Sequence, residues 1–117
     1  MEKCSMKKSI LIFGLPGSGK TTLSKELLNN LRACHINADD VRERFNDWDF
    51  TEIGRRRQAN RMKFLAEVAE AEVAIIDFVC PLREFRDLFS PDVVVFMDTI
   101  RESRFLDTNK IFQRPKF

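Results

Sequence analysis

The apolar run Ile10-Leu11-Ile12-Phe13 leads directly into Gly14-Leu15-Pro16-Gly17-Ser18-Gly19-Lys20-Thr21, and then into leucines at helical spacing, Leu23, Leu27, Leu28 and Leu31. No other feature restricts the fold as strongly. The eight residues satisfy G-x-x-x-x-G-K-[ST], in which glycines permit a tight turn whose backbone N–H groups curl around phosphate at a helix N-terminus. All the motif positions are filled in a strand-to-helix context, which a chance glycine-rich turn does not provide. The stretch from Gly14 to Thr22 therefore implies binding of a nucleoside triphosphate. Lys20 is placed to neutralise the β/γ oxygens, and Thr21, ahead of Thr22, to offer its hydroxyl to Mg²⁺.

The chain has 117 residues, of which 44% are hydrophobic and 32% charged. This suits one globular domain, residues 1–117, with a modest core. A net charge of +2 does not suggest a chain that wraps nucleic acid, although Arg55-Arg56-Arg57 with Arg61 and Lys63 concentrates positive charge. That cluster suits either an anionic substrate or a solvated helix face. Cys4, Cys34 and Cys80 form no C-x-x-C pair, and no secretory signal is present, so neither a disulfide framework nor a zinc site is indicated and a reducing cytoplasm is expected. Nothing approaches the roughly 18 consecutive apolar residues of a membrane span.

After a polar lead, Met1 to Lys8, the pattern predicts a strand at Ser9–Phe13 and a helix from Gly19 to about Leu31. A weaker strand follows at Cys34–Asn37, with a short helix from Asp39 to near Asn46 and a break at Asp47-Trp48-Asp49. The longest helix is expected from about Glu52 to Ala71, with Phe64, Leu65, Val68 and Ala69 as its apolar stripe. Thr51 is its natural N-cap, and Asp49 with Glu52 offers a competing capping box. A third strand fits Val73–Asp77, a helix Pro81–Phe89, and a β-branched fourth strand Val93–Met97. From Asp98 onward the signal fades. Continuously apolar strands alternating with helices imply an α/β fold with a parallel sheet of about four strands, helices on both faces and right-handed crossovers. This expected architecture resembles the three-layer sandwich of the P-loop NTPases. Ligands then bind at the carboxyl ends of the strands, where Lys20, Asp39, Asp77, Arg83 and Asp98 converge.

Asp39 is the preferred carboxylate for orienting or deprotonating an acceptor hydroxyl and for binding metal, whereas Asp40 serves equally well as a helix cap. Asp77 and Asp98 each end an apolar run, and either can be the aspartate that holds Mg²⁺ through water. Arg42 lies one turn after Asp39 and can grip phosphate or sulfate bidentately. Arg55 and Gln58 share a helix face and can do likewise. Phe50 and Trp48, in a polar break, are candidates to stack on a base, while Phe78 suits the core. His35 reads as structural and Cys80, before Pro81, as a pocket-lining candidate.

These residues resemble the adenylyl-sulfate kinases. Gly14 to Leu23 is similar to G-L-x-G-[SA]-G-K-[ST]-T-[LI], and Asn37-Ala38-Asp39-Asp40-Val41-Arg42 to D-G-D-N-[VI]-R. Phe50-Thr51 with Arg55 resembles F-S-x-x-x-R, Phe78-Val79-Cys80-Pro81-Leu82-Arg83 resembles F-I-S-P-x-R, and Phe96-Met97-Asp98-Thr99 resembles F-V-D-T. The resemblance implies that Asp39 is the catalytic carboxylate, that Arg42 holds adenylyl sulfate, that Phe50 stacks on its adenine and that Arg55 contacts its anionic linkage. It also implies that Phe78, Val79, Cys80 and Pro81 line the acceptor pocket, and that the protein forms dimers. R-x-x-N is matched without a gap by Arg55 to Gln58; Arg57 to Asn60 restores the asparagine with an insertion. Asn37 and Asp40 depart from D-G-D-N. Asp107 to Phe112 echoes D-x-K-G-L-Y only loosely, so the lid and last strand are expected to be reduced or absent.

The expected function is transfer of the γ-phosphoryl of MgATP to a small nucleotide-like acceptor, the 3′-hydroxyl of adenylyl sulfate, with ATP and Mg²⁺ as cofactors. No nucleic-acid or membrane partner is expected. The rivals are a 5′-hydroxyl polynucleotide kinase or another small-molecule kinase, and a nucleotide-binding module without activity.

Overall fold

Alternation of apolar strands with helices produces a parallel sheet in the computed structural model, which describes residues 8–29 and 31–115. The elements in chain order are β1 (Lys8–Phe13), α1 (Lys20–Leu28), β2 (Ala33–Asn37), α2 (Ala38–Phe45), α3 (Glu52–Val68), β3 (Val73–Phe78), α4 (Arg83–Phe89), β4 (Val93–Phe96) and α5 (Leu106–Ile111). The sheet has four strands in the order β2-β3-β1-β4, all parallel, with helices on both faces. The chain leaves β1, passes over the position of β3 to form β2, and returns to fill the gap. The ends of β1 and β3 thus lie side by side below a cleft, where such sheets bind ligands.

Strand periodicity divides the buried residues between the two faces. Leu11, Phe13, Ala74, Ile76 and Phe78 face a core completed by Val41 of α2, Ala59, Met62 and Ala66 of α3, and Phe85 and Phe89 of α4. The alternate residues Ile12, Ile75 and Asp77 are buried on the other face. The polar lead expected over Met1–Lys8 lies outside the described residues except for Lys8, which opens β1.

Several boundaries differ from the sequence pattern for identifiable reasons. The first helix stops at Leu28 with Asn29 as its C-cap, short of Leu31. The long helix ends at Val68, with Ala69 already extended, because Glu72 and Val73 are engaged by Lys8 and Arg32 through backbone hydrogen bonds. Its buried stripe is Gly54, Arg55, Gln58, Ala59, Met62 and Ala66. Phe64 and Val68, expected inside, are more than half exposed. Small residues at 59 and 66 let α3 lie close to the sheet, and that orientation carries Phe64 outward. Thr51 is the N-cap, accepting from the Gly54 amide, while Asp49 accepts from the Thr51 amide and hydroxyl; the Asp49–Glu52 capping box is not formed.

Helix α5 was not foreshadowed by periodicity. It is organised by side chains: Asn109 accepts from the Ser103 amide and hydroxyl and donates to its carbonyl. Its far end is docked by Phe112, which stacks near Phe13 and Phe96 at 6.3 and 6.0 Å between ring centroids, and by the Gln113 amide, which donates to the Pro81 carbonyl. Buried Arg86 places its guanidinium 4.1 Å from the Phe13 ring centroid and donates to the Cys80 and Pro81 carbonyls. Among the described residues no helix is long and apolar enough to cross a membrane.

Gly54 packs so tightly under the preceding loop that a Cβ there would run into the Asp49 backbone carbonyl and side chain. Gly54→Ala is therefore expected to destabilise the protein by about 1–3 kcal/mol, the usual cost of overpacking, and to lower Tm in a calorimetric scan. A Tm equal to that of the wild type would show that the loop yields freely.

Candidate active site

The carboxyl ends of β1, β2 and β3 open into a cavity of about 920 Å³, a size suited to nucleotide-like ligands. Part of its wall is the phosphate loop. Gly14 is required there by close approach, since a Cβ would sit 2.8 Å from Ser18 Oγ and 3.0 Å from the Met97 carbonyl. Gly19 caps α1 at φ +99°, a left-handed conformation that glycine adopts without strain. Pro16, Gly17, Gly19, Lys20, Thr21 and Thr22 line the cavity. Leu15 and Ser18 are buried behind them and shape the loop through its backbone. The Leu15 carbonyl accepts from Lys20 Nζ at 3.1 Å, and the Ser18 carbonyl accepts from the Thr99 hydroxyl at 2.7 Å. Burial lowers the Lys20 ammonium from its ordinary value, a shift opposed by the carboxylates of Asp77 and Asp39. A phosphate at this position would relieve that desolvation.

Of the two strand-end aspartates, the structure brings only Asp77 to the loop. Its carboxylate is almost fully buried, and its Oδ2 accepts from the Thr21 hydroxyl at 2.8 Å and from Asn37 Nδ2 at 3.0 Å. Asp98 instead pairs with Arg114 at 2.9 Å and is not part of the cavity wall. Asp39, in the first turn of α2, is exposed and lines the same cavity as Lys20. Its neighbour Asp40 lies on the capped end of the helix, its amide donating to Asn37 Oδ1. Thr21, Asp77 and Asp39 suit a divalent cation held mainly by phosphate oxygens. Among the described residues no cluster of His, Cys, Asp and Glu could hold a metal by itself.

The same cavity wall carries an arginine–aromatic cluster. Phe50 is exposed, with the Arg42 guanidinium 4.2 Å from its ring centroid and that of Arg55 at 5.3 Å. Arg42 Nη1 donates to the Asp47 and Asp49 carbonyls, and Arg55 Nε donates to the Phe50 carbonyl. Burial is the main cause lowering the pKa of both guanidiniums, and both residues line the cavity. Arg55 Nη2 also lies 3.6 Å from Asp107 Oδ2 across the cavity. The 47–50 loop is tied down from outside, where Arg57 forks onto Asp47 and Asp49 and holds the Asp47 carboxyl well below the usual carboxylate range. Phe78, Val79 and Pro81 also line the wall.

Not every expected residue is at the cavity. Gln58 is fully buried and donates to the Ala38 carbonyl at 2.9 Å, so it joins α3 to the start of α2 and does not face a ligand. Cys80 is also fully buried, off the cavity wall, with its thiol pushed up to about 12 by desolvation. Trp48 is exposed outside the cavity, and Arg83 is bound to Gln113 and Arg114 away from it. Pattern reading missed the contributions of Phe85, Glu102, Phe105 and Thr108 to the wall. The last three belong to a segment without periodicity; Phe85, on a recognisable helix, is placed there only by packing.

Residues 10–76 match the family model described as an AAA domain. The chain belongs to the AAA domain family. Within this P-loop fold it is related to APS-kinase-like kinases. It is 26% identical to a cysteine-to-alanine mutant of the Mycobacterium tuberculosis APS kinase CysC, with 96% of this chain and 82% of that chain aligned at a TM-score of 0.70. The same kinase in complex with AMPPNP and APS aligns over 96% and 85% of the two chains at 23% identity and a TM-score of 0.73. The crystal structure of APE1195 aligns over 80% of this chain at 24% identity and a TM-score of 0.69, and this chain spans 61% of it. No curated protein sequence matches. The family match ends at residue 76, ahead of Asp77 and the later cavity wall.

Replacing the buried Lys20 cation by an apolar isostere removes a desolvated charge from the ligand-free protein. Lys20→Met is expected to leave Tm unchanged or raised while weakening ATP binding at least tenfold by calorimetry. Wild-type ATP affinity in this variant would remove Lys20 from the phosphate site.

Proposed function

We propose that this AAA domain protein is a cytoplasmic kinase that transfers the γ-phosphoryl of MgATP to the 3′-hydroxyl of adenylyl sulfate, giving 3′-phosphoadenylyl sulfate and ADP. The observation that carries the proposal is the shared cavity, whose wall brings together the phosphate loop, Asp39, Arg42, Phe50 and Arg55, with the Asp39 charge felt by both Lys20 and Arg42. That combination suits a triphosphate directed at the hydroxyl of an acceptor whose base stacks on Phe50 and whose anionic linkage meets the guanidiniums.

In this reading the loop amides and Lys20 draw the γ-phosphoryl into line and neutralise the charge that spreads over its oxygens. Thr21 would hold Mg²⁺ directly and Asp77 through water, with Asp39 facing the same space. When bound there, Mg²⁺ would supply neutralisation of phosphate charge. Asp39 orients the acceptor hydroxyl and takes its proton as the new oxygen–phosphorus bond forms and the bond to the β-phosphate oxygen breaks. Arg42 and Arg55 hold the acceptor in the attacking geometry, which together with charge stabilisation accounts for nearly all of the rate enhancement in phosphoryl transfer.

The test is direct detection of 3′-phosphoadenylyl sulfate from ATP and adenylyl sulfate, with and without Mg²⁺. Wild-type protein is expected to form it only with Mg²⁺. Asp39→Asn is expected to lower kcat by about 10²–10⁴, the usual share of a general base, whereas Asp98→Asn stays near wild type. Tight ATP binding without this product would reject adenylyl sulfate as acceptor, and turnover of 5′-hydroxyl oligonucleotides would then identify a polynucleotide kinase.

A further inference from the structure

Three donors converge on one oxygen of Asp77, and the third is His35. Its Nε2 lies 3.0 Å from Asp77 Oδ2, beside the contacts of that oxygen with Thr21 and Asn37. The arrangement follows from strand geometry. His35 and Asn37 are two apart on β2 and therefore share a face, and the parallel register sets His35 level with Ile75 and Asn37 level with Asp77. The side chain of His35 is only 13% exposed and that of Asp77 only 2%. Among the described residues no Lys or Arg forms an ion pair with Asp77. Facing a carboxylate, which only accepts, Nε2 carries the hydrogen and donates.

We infer that His35 is a positioning residue for the metal side of the site, acting through Asp77 on Thr21. This rests on the reading of the cavity as a Mg²⁺–nucleotide site. By donating its one hydrogen to Asp77, the Thr21 hydroxyl turns its lone pairs away from that carboxylate. Asn37 Nδ2, 3.3 Å from Thr21 Oγ1, approaches one of them and leaves the other for a divalent cation. The hydroxyl holds this orientation only while Asp77 holds still, and the terminal torsion of an aspartate has a broad, soft profile. The hydrogen bonds from β2 remove that freedom. Asn37 lines the phosphate cavity, whereas His35 reaches Asp77 from one step further back in the sheet and is not part of the cavity wall.

The test measures binding of Mn²⁺, as a probe for Mg²⁺, to the ADP complex by electron paramagnetic resonance, alongside ADP affinity without metal. His35→Leu is expected to weaken Mn²⁺ binding about 10–100-fold, the usual effect of losing a partner that orients a metal ligand, and to leave metal-free ADP binding unchanged. His35→Gln, whose amide nitrogen reaches the position of Nε2, is expected to restore Mn²⁺ affinity to within about threefold of wild type, whereas His35→Asn, whose amide stops short, is not. The Gln and Asn pair decides the matter even if the leucine variant fails to fold. Wild-type Mn²⁺ affinity in His35→Leu or His35→Asn, or equal losses in the Gln and Asn variants, would overturn the role of His35 and leave the kinase reading standing. Absence of ADP-dependent Mn²⁺ binding in the wild type would overturn both.

Discussion

Parallel pairing of β1 with β3 is the constraint on which the rest of the site depends. It places Phe13 level with Phe78 and Ile12 level with Asp77, so the phosphate loop begins beside a buried carboxylate 56 residues from Thr21 along the chain. With β2 paired on the far side of β3, Asn37 comes into the same row. The hydrogen bonds joining Thr21, Asn37 and Asp77 are therefore a consequence of sheet register. A one-residue slip of β3 would send Asp77 to the opposite face and bring an apolar residue beside Thr21.

The cavity wall around Phe50 rests on a different principle. Phe50 lies in an irregular loop, and nothing in a sheet or helix ladder fixes it. Arg42 and Arg55 bind backbone carbonyls of that loop from within, while Arg57 binds its aspartates from without. Arginine suits both tasks because a planar guanidinium can hold a carbonyl with one edge and present other donors to a ligand. Part of the apparent basic run at 55–57 is thus structural. Arg55 faces the cavity, whereas Arg57 uses its fork on Asp47 and Asp49.

The strands, the helices through Phe89 and the phosphate loop were legible because each carries a local signal: apolar runs, a capping threonine, glycines at fixed spacing. The orientation of α3 was not. Its aromatic and β-branched residues suggested one face, yet Ala59, Met62 and Ala66 are buried, because the small residues at 59 and 66 allow close approach to the sheet and Met62 fills the core between them. Gln58 and Cys80 read as pocket residues from motif position and proved to be buried behind it, one joined to the Ala38 carbonyl and the other packed in the core. Helix α5 was invisible to periodicity because it is held by Asn109 on Ser103 and by Phe112 on Phe13 and Phe96, contacts that depend on distant elements.

What the sequence determined by itself was the phosphate-binding end, from Gly14 to Thr22, together with the α/β order of elements, since both arise from interactions within a few residues along the chain. The choice between Asp77 and Asp98 was decided only by tertiary structure. Both end apolar strands with the same local pattern. They differ in neighbours: β3 pairs with both β1 and β2 in the interior of the sheet and delivers Asp77 to Thr21, whereas β4 pairs with β1 at the sheet's edge and leaves Asp98 to Arg114. His35 was settled in the same way, because only strand pairing reveals that its ring lies against the carboxylate that Thr21 also binds.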